Sequence, residues 1–248
     1  DINVNEKIID NKIDFTFDVV DSEKFYVEKI NILGNYVTIE EVIRNKFIVD
    51  EGDPLNNLLF NKSIDEIRSL GIFKTVRTEI QDGSDANLKV VNIKVEEKPT
   101  GEISLGAGVG TNGSTIGGGI KEKNFLGKGI NLSSELDISE DALKGKFVYS
   151  KPNFAYTDNT LFTSINSSTS DFLTDYGYKI SDVGMSLGTK FEQYENLFFS
   201  PELSLSIEDL KTNSTASTNL KKQEGTYEDL YFNYGFEYDL RDSSFRPT

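Results

Sequence analysis

The stretch Leu230-Tyr231-Phe232-Asn233-Tyr234-Gly235-Phe236-Glu237-Tyr238-Asp239-Leu240-Arg241 changes character at every residue. Leu230, Phe232, Tyr234, Phe236, Tyr238 and Leu240 hold one set of alternate positions; Tyr231, Asn233, Gly235, Glu237, Asp239 and Arg241 hold the other. Successive side chains of an extended chain point to opposite faces, so a period of two predicts a strand with one apolar, aromatic face and one polar face. From Thr100 onward the signature recurs and no helical period appears. Ile103, Leu105, Ala107 and Val109 alternate with Glu102, Ser104, Gly106 and Gly108. Ile130, Leu132, Leu136 and Ile138 oppose Asn131, Ser133, Glu135 and Asp137, and Phe199, Leu203, Leu205 and Ile207 oppose Ser200, Glu202, Ser204, Ser206 and Glu208. Roughly eight such segments follow one another, each close to the ~9–11 residues a tilted strand needs to cross a bilayer. Those near residues 143–151 and 160–168 alternate less sharply. The segment 176–191 slips phase between Ile180 and Val183, which predicts a β-bulge there.

A soluble sandwich with its apolar face turned inward alternates in the same way, so period alone does not separate it from a membrane barrel. The connections help. If the chain enters the first strand from the periplasm, that side carries the connections 124–128, 152–159 and 193–196. The opposite side carries 111–113, 139–142, 169–175 and 211–225. The last is long and polar and reads as a mobile loop without a site of its own, and its length fits the short-turn, long-loop asymmetry of outer-membrane barrels.

Ahead of residue 100 the pattern is mixed. Residues 25–33 alternate, with Tyr26 and Glu28 against Val27, Ile30 and Ile32, and end at Gly34-Asn35, a strand with a turn. Thr38 with Glu41 three residues on reads as a capping box, opening a helix with Ile39, Val42 and Ile43 on one face. A second helical pattern runs from about Leu55 to Leu70 and stops at Gly71. Its apolar positions, Leu58, Leu59, Ile64, Ile67 and Leu70, are three or four apart except for one wider gap. Two strands follow, near residues 73–80 and 88–96. The order β-α-α-β-β predicts a small α+β unit.

Composition narrows the function. The 248 residues carry 26 Lys+Arg against 41 Asp+Glu, a net charge of −15, which argues against nucleic acid as a partner because phosphate binding needs clustered positive charge. With no His and no Cys there is no imidazole acid–base chemistry, no thiolate nucleophile and no disulfide framework. No apolar run is long enough for a transmembrane helix, which leaves a strand-built membrane protein open. Residues 1–20 lack the apolar core of a signal peptide, so an exported chain would have its leader upstream. The turn-like ending Arg246-Pro247-Thr248 reads as the edge of a fragment.

Gly108-x-Gly110-x-x-Gly113 matches a dinucleotide fingerprint, but that motif works only when a helix follows, and here another alternating strand does. Gly106, Gly108 and Gly110, then Gly117, Gly118 and Gly119, weaken two adjacent strands instead. They provide either room for close packing or a bend, which the residues alone favour, or an unstable first strand able to open and exchange partners. Asp82-Gly83-Ser84-Asp85 and Asp50-Glu51-Gly52-Asp53 lack calcium-loop spacing and read as turns. Glu135, Asp137, Glu202, Glu208, Glu237 and Asp239 are scattered over several strands and read as a solvated lumen, so no catalytic or metal-binding set emerges.

Several stretches carry a family resemblance. Val27-Glu28-Lys29-Ile30 with Gly34-Asn35, Leu70-Gly71-Ile72-Phe73 with Val76, and Val91-Asn92-Ile93-Lys94-Val95-Glu96-Glu97-Lys98 look like a POTRA domain. Thr100-Gly101 resembles the junction into a barrel. Gly118, Glu122 and Asn124-Phe125-Leu126-Gly127-Lys128-Gly129 form the most specific stretch. Tyr149-x-x-Pro152-Asn153-Phe154, Phe232-Asn233-Tyr234-Gly235-Phe236, Arg241-Asp242 and Pro247-Thr248 are similar to later parts of the same barrel half. Together these resemble the superfamily of BamA, TamA and the two-partner secretion transporters, most closely the BamA-like assembly factors.

The resemblance implies an α+β POTRA domain (β-α-α-β-β) over residues 23–98, followed over residues 99–248 by the first eight strands of an antiparallel transmembrane β-barrel. Residues 1–22, with Ile13-Asp14-Phe15-Thr16-Phe17-Asp18-Val19, look like the last strand of a preceding POTRA domain. It implies a non-enzymatic, cofactor-free insertase in the bacterial outer membrane with its POTRA domain in the periplasm. Its partners would be unfolded β-barrel proteins, assembly-complex lipoproteins and outer-membrane lipid. Glu102, Ile103, Ser104, Leu105, Gly106, Ala107 and Gly108 would pair with a substrate strand at a lateral seam, and Phe73, Lys74, Thr75, Val76 and Arg77 would capture it at the POTRA edge. A TamA-like factor, a two-partner secretion transporter and a passive outer-membrane pore are the alternatives.

Overall fold

The computed structural model describes residues 2–9, 12–19, 24–110 and 113–241; the sequence readings that fall on Thr111, Asp242 and residues 246–248 lie outside these. At the N-terminus β1 (Ile2–Ile9) pairs antiparallel with β2 (Lys12–Val19), with Val4 opposite Phe17 and Glu6 opposite Phe15. The single strand expected within residues 1–22 is corrected to a two-stranded hairpin. Its cause is that Ile2 and Val4 alternate with Asn3 and Asn5 in step with Ile13, Phe15 and Phe17, so each run supplies the other's partner.

The α+β unit comprises β3 (Tyr26–Leu33), α1 (Glu40–Arg44), α2 (Asn57–Ser69), β4 (Phe73–Asp82) and β5 (Leu88–Glu97). β5 is the middle strand, parallel to β3 and antiparallel to β4. A parallel pair needs a long crossover, which α1, α2 and β4 supply. Val27 and Ile30 of β3, Ile43 of α1, Phe60, Ile64 and Ile67 of α2, Val76 of β4, and Val91, Ile93 and Val95 of β5 share one buried core.

Two local readings change, and a third, the shared face of Val27 and Ile30, holds through a bulge. Val27 and Ile30 are both buried, because the β3–β5 register shifts between Val27 and Lys29 and the extra residue turns both sides of the bulge inward. The buried stripe of α2 is Phe60, Ile64 and Ile67, spaced four and three, while Leu58 is 81% exposed; the wider gap marked a stripe out of phase. Leu58 and Leu59 instead donate their backbone N–H groups to the Asn56 side chain, which caps the helix. The expected capping box at Thr38 does not form: Ile39 is the N-cap, with no side-chain cap bond, and the Thr38 hydroxyl is engaged elsewhere.

From Gly101 the chain is a meander of eight antiparallel strands: β6 (Gly101–Gly110), β7 (Gly113–Phe125), β8 (Ile130–Ser139), β9 (Ala142–Lys151), β10 (Thr160–Phe172), β11 (Tyr178–Tyr194), β12 (Leu197–Thr212) and β13 (Gly225–Tyr238). The register turns the sequence alternation into two continuous faces. One line across the sheet runs Ile103, Ile120, Ser134, Phe147, Ile165, Met185, Leu205, Leu230. The line beside it, on the other face, runs Ser104, Gly119, Glu135, Lys146, Asn166, Gly184, Ser206, Asp229. Among the described residues nothing covers the apolar line: Ile103 is 75% exposed and Met185 52%. In water such a continuous apolar face is costly at ~25 cal/mol per Å², and in a bilayer it is matched by lipid. At the α+β end of the sheet Phe199 meets Phe191 edge to face and stacks on Phe236, with ring centroids 5.7 and 4.9 Å apart, an aromatic cluster of the kind that forms girdles in membrane barrels.

Two sheet readings also change. β11 pairs without slip from Tyr178 to Gly188, so no bulge lies between Ile180 and Val183; the register shifts at Glu192/Tyr194 instead. Ile180 breaks the alternation because it lies opposite buried Leu210, near the outer connection. The connection read as a mobile loop carries a short helix, α3 (Thr218–Lys222), and is tied to its neighbour by Asn213, whose N–H donates to Gly177 O at 2.9 Å and whose Nδ2 donates to Leu173 O at 2.8 Å.

Candidate functional site

Among the described residues, β3, β5 and β4 leave one open edge. The outer side of β3 is covered by residues 51–55: Val27 N–H donates to Asp53 O, Gly52 N–H to Val27 O, and Ile30 N–H to Glu51 Oε1 at 2.9 Å. β4 has no strand beyond it among the described residues. Gly83 N–H donates to Leu88 O across the β4–β5 register, so the narrow pairs fall at odd positions of β4. Even positions therefore turn N–H and C=O outward. The Val76 carbonyl is approached by Arg68 Nη2 at 3.4 Å, which leaves Thr78, Ile80 and Asp82 as the accessible edge. The residues proposed for capture sit on the same strand with other contacts: Phe73 and Val76 are core side chains, and Lys74 and Thr75 bond Glu96. Arg77 is exposed.

The sheet likewise ends at β6, which among the described residues pairs only with β7. Glu102, Ile103, Ser104, Leu105, Gly106, Ala107 and Gly108 are all exposed on it. The glycines divide by strand. A Cβ at Gly117 would collide with the Asp137 carboxylate, and one at Gly119 would lie 3.0 Å from Ser104 Oγ, so the β7 glycines make room for neighbours. A Cβ at Gly106 or Gly108 would meet nothing within 4 Å, so the β6 glycines leave their strand without packing. On the polar face this opens a depression of about 480 Å³, with Glu135 and Asp137 at its rim.

The two units meet at the turn after β7. The β7–β8 register shifts between Glu122 and Phe125, and the bulge frees Asn124 from either neighbouring strand. Asn124 Nδ2 donates to Thr38 Oγ1 at 2.8 Å and Asn124 Oδ1 accepts from Gly129 N–H at 2.7 Å. Ile39 N–H donates to Gly127 O at 2.9 Å. Gly127 has φ +70°, and a Cβ there would collide with the Val37 carbonyl, so only glycine fits this approach. Glu97, at the end of β5, accepts from Thr38 N–H at 2.7 Å and Val37 N–H at 3.0 Å. Burial pushes the Glu97 carboxyl up, but hydrogen bonds from the Thr38 hydroxyl and N–H and from the Val37 and Tyr36 backbone outweigh it and hold it below its ordinary value. Sequence reasoning marked the Asn124–Gly129 stretch only as a family signature and Thr38 only as a cap; their mutual contact depends on the bulge, which the sequence does not announce.

An α+β domain that enters an eight-stranded amphipathic meander across only Lys98, Pro99 and Thr100 is the architecture of a membrane β-barrel protein with an α+β domain joined to its first strand. Residues 25–98 match the POTRA family, described as a surface antigen variable number repeat, and residues 124–248 match the Omp85 superfamily domain. The chain belongs to the Omp85 superfamily. It is an outer-membrane protein whose POTRA domain lies in the periplasm. It is 26% identical over 217 residues to the outer membrane protein assembly factor BamA of Neorickettsia risticii, covering 87% of this chain and 29% of that protein. Over 144 residues it is 28% identical to BamA of Neisseria meningitidis, covering 57% of this chain and 18% of that protein. The crystal structure of BamA from Haemophilus ducreyi lacking POTRA domains 1–3 superimposes with a TM-score of 0.74 at 21% identity, over 100% of this chain and 51% of that one. CdiB from Escherichia coli gives 0.57 at 14%, over 95% and 45%, a likeness of fold alone. The chain thus spans less than a third of these two curated relatives and about half of the Haemophilus chain.

Proposed function

We propose that this chain is the POTRA and first-half-barrel portion of an outer-membrane protein assembly factor, which folds β-barrel proteins into the membrane by lending them strand edges. The observation that carries this is the passage of β6 directly from the POTRA domain into a lipid-facing sheet, with glycines at 106 and 108 whose Cβ positions would meet nothing within 4 Å among the described residues. A strand whose backbone groups lose their partners in hydrocarbon pays several kcal/mol per unsatisfied group, so if β6 opened, its edge would favour pairing with an incoming strand. Glu102 to Gly108 offer that template through backbone hydrogen bonds, which tolerate any side-chain sequence. The outward groups of Thr78, Ile80 and Asp82, on the strand that also holds Phe73 to Arg77, serve capture in the periplasm by β-augmentation. No bond is made or broken in the substrate and no cofactor takes part. Lipoproteins of an assembly complex would bind on the POTRA side.

The names of the two curated relatives, both assembly factors, support this over a secretion transporter or a passive pore. The test uses the full-length protein carrying single cysteines at positions 104 to 108, with a nascent barrel substrate carrying a cysteine in its terminal strand. Disulfide adducts that alternate in yield along β6 are expected. Adducts no stronger than those of a cysteine in β10 would reject strand templating.

A further inference from the structure

The crossing from β5 into β6 is enclosed by a ring of hydrogen bonds. Glu97 accepts from Thr38 N–H at 2.7 Å. The Thr38 hydroxyl accepts from Asn124 Nδ2 at 2.8 Å, and Asn124 N–H donates to Glu122 Oε1 at 2.7 Å. The same Glu122 oxygen accepts from the Thr100 hydroxyl, and Thr100 follows Glu97 by three residues, which closes the ring. Its members come from three places that a rigid-body motion of the POTRA domain would otherwise separate: the loop before α1, the domain-to-barrel crossing, and the end of β7. Thr38 and Asn124 are buried, so water does not readily replace their bond. The Ile39-to-Gly127 backbone bond adds a second tie beside the ring. At the other end of β6, a Cβ at Gly106 or Gly108 would meet nothing within 4 Å among the described residues.

We propose that Asn124 and Glu122 are positioning residues that lock the POTRA domain, the β7 turn and the base of β6 into one body, so that a change in POTRA orientation is delivered directly to the first barrel strand. The strand is then stiff where it leaves the POTRA domain and pliable beyond Gly106. This rests on β6 being the exchanging strand only for its use in assembly; the mechanical claim stands on the contacts themselves.

The test is amide hydrogen exchange on the full-length protein in phosphatidylcholine vesicles, read beside its assembly rate for a barrel substrate. In the unsubstituted protein, amides at 101–104 and 36–39 should exchange at least tenfold more slowly than those at 106–109. Asn124→Ala and the milder Thr38→Val should raise exchange at 101–104 and 36–39 about tenfold together, with β10 to β12 unchanged. Glu122→Gln, which keeps an oxygen acceptor for Thr100 and Asn124, should stay within twofold, whereas Glu122→Ala should not. If 36–39 loosen in Asn124→Ala while 101–104 do not, or if 106–109 are as protected as 101–104 at the start, the lock is wrong. A lock that behaves as stated in a protein without assembly activity would overturn the proposed function and leave this inference standing; should Asn124→Ala fail to insert, Thr38→Val and the Glu122 pair decide alone.

Discussion

Asn124 of the second barrel strand and Thr38 of the POTRA domain, 86 residues apart in sequence, share a hydrogen bond of 2.8 Å with both side chains nearly sealed from solvent, at 7% and 2% exposure. A buried polar pair of this kind is asymmetric in its energetics. Making it contributes about 1 kcal/mol, whereas removing one partner strands the other and costs about 1–3 kcal/mol. Thr38→Val keeps the shape, deletes the acceptor and leaves Asn124 Nδ2 without its partner. A loss of about 1–3 kcal/mol in POTRA stability is expected, read as a lower denaturant midpoint for exchange at amides 36–44 of the membrane-inserted protein.

Glu97 gives the same contact a pH dependence. Its carboxyl lies below the ordinary value of 4.5 in the folded protein, because the Thr38, Val37 and Tyr36 donors favour its charged form over the opposing effect of burial. A lowered folded value stabilises the fold fully above the unfolded value and ceases to do so as pH falls through the folded one. Protection of residues 36–39 is therefore expected to be flat from neutrality down to about pH 5 and to fall on further acidification, below the unfolded value of 4.5. Glu97→Gln should lower protection at neutral pH and flatten the acid limb; an acid limb of unchanged depth in the variant would assign it to another group.

Gly127 and Gly52 both hold positive φ, at +70° and +97°, but only Gly127 faces a neighbour, the Val37 carbonyl. Gly52→Ala reports backbone strain alone, of about 1–2 kcal/mol for a left-handed residue. Gly127→Ala adds displacement of the turn from the POTRA domain. Both variants should still insert into vesicles, and only Gly127→Ala should raise exchange at Ile39, whose N–H bonds Gly127 O. Equal effects would show that the turn does not dock.

Much of this architecture is local and therefore legible. The alternation in Leu230 to Arg241 depends only on which way neighbouring side chains point, and it yields the strand directly. What alternation does not carry is register. That Ile103 and Leu230 belong to one apolar line follows only after seven pairings are fixed. Ile180 misled because an apolar residue on the polar face is indistinguishable in sequence from a slipped phase; its partner Leu210 settles the matter. Leu58 misled because a helix stripe can be drawn through several leucines, and only the Asn56 cap shows where the first turn begins. The Asn124–Thr38 bond was out of reach, since it needs a bulge in one unit and a failed capping box in the other.

The glycines of β6 and β7 should respond oppositely to one substitution. A Cβ at Gly106 or Gly108 would meet nothing within 4 Å among the described residues, and valine there brings a β-branched side chain to a strand, a gain of up to ~1 kcal/mol in strand preference. Gly117→Val would instead collide with Asp137 and destabilise the barrel. If β6 serves by being pliable, Gly106→Val should slow substrate assembly several-fold while raising the unfolding midpoint of the protein in detergent. Faster or unchanged assembly in this more stable variant would separate β6 pliability from function.

Proline distinguishes the two sides of β4. Gly83 N–H bonds Leu88 O, so Gln81 and Glu79 point their backbone groups toward β5, and Ile80 points its own away. Proline removes the N–H and is tolerated where that N–H faces outward on an edge strand. Ile80→Pro is therefore expected to cost the POTRA domain little, about 1 kcal/mol or less, whereas Gln81→Pro breaks a ladder bond and should cost about 3 kcal/mol. Only Ile80→Pro can separate folding from capture, since it leaves the core face of Phe73, Val76 and Ile93 intact. Crosslinking of a substrate peptide to position 78 should fall at least fivefold in that variant at unchanged POTRA stability, and undiminished crosslinking would place capture somewhere other than this edge.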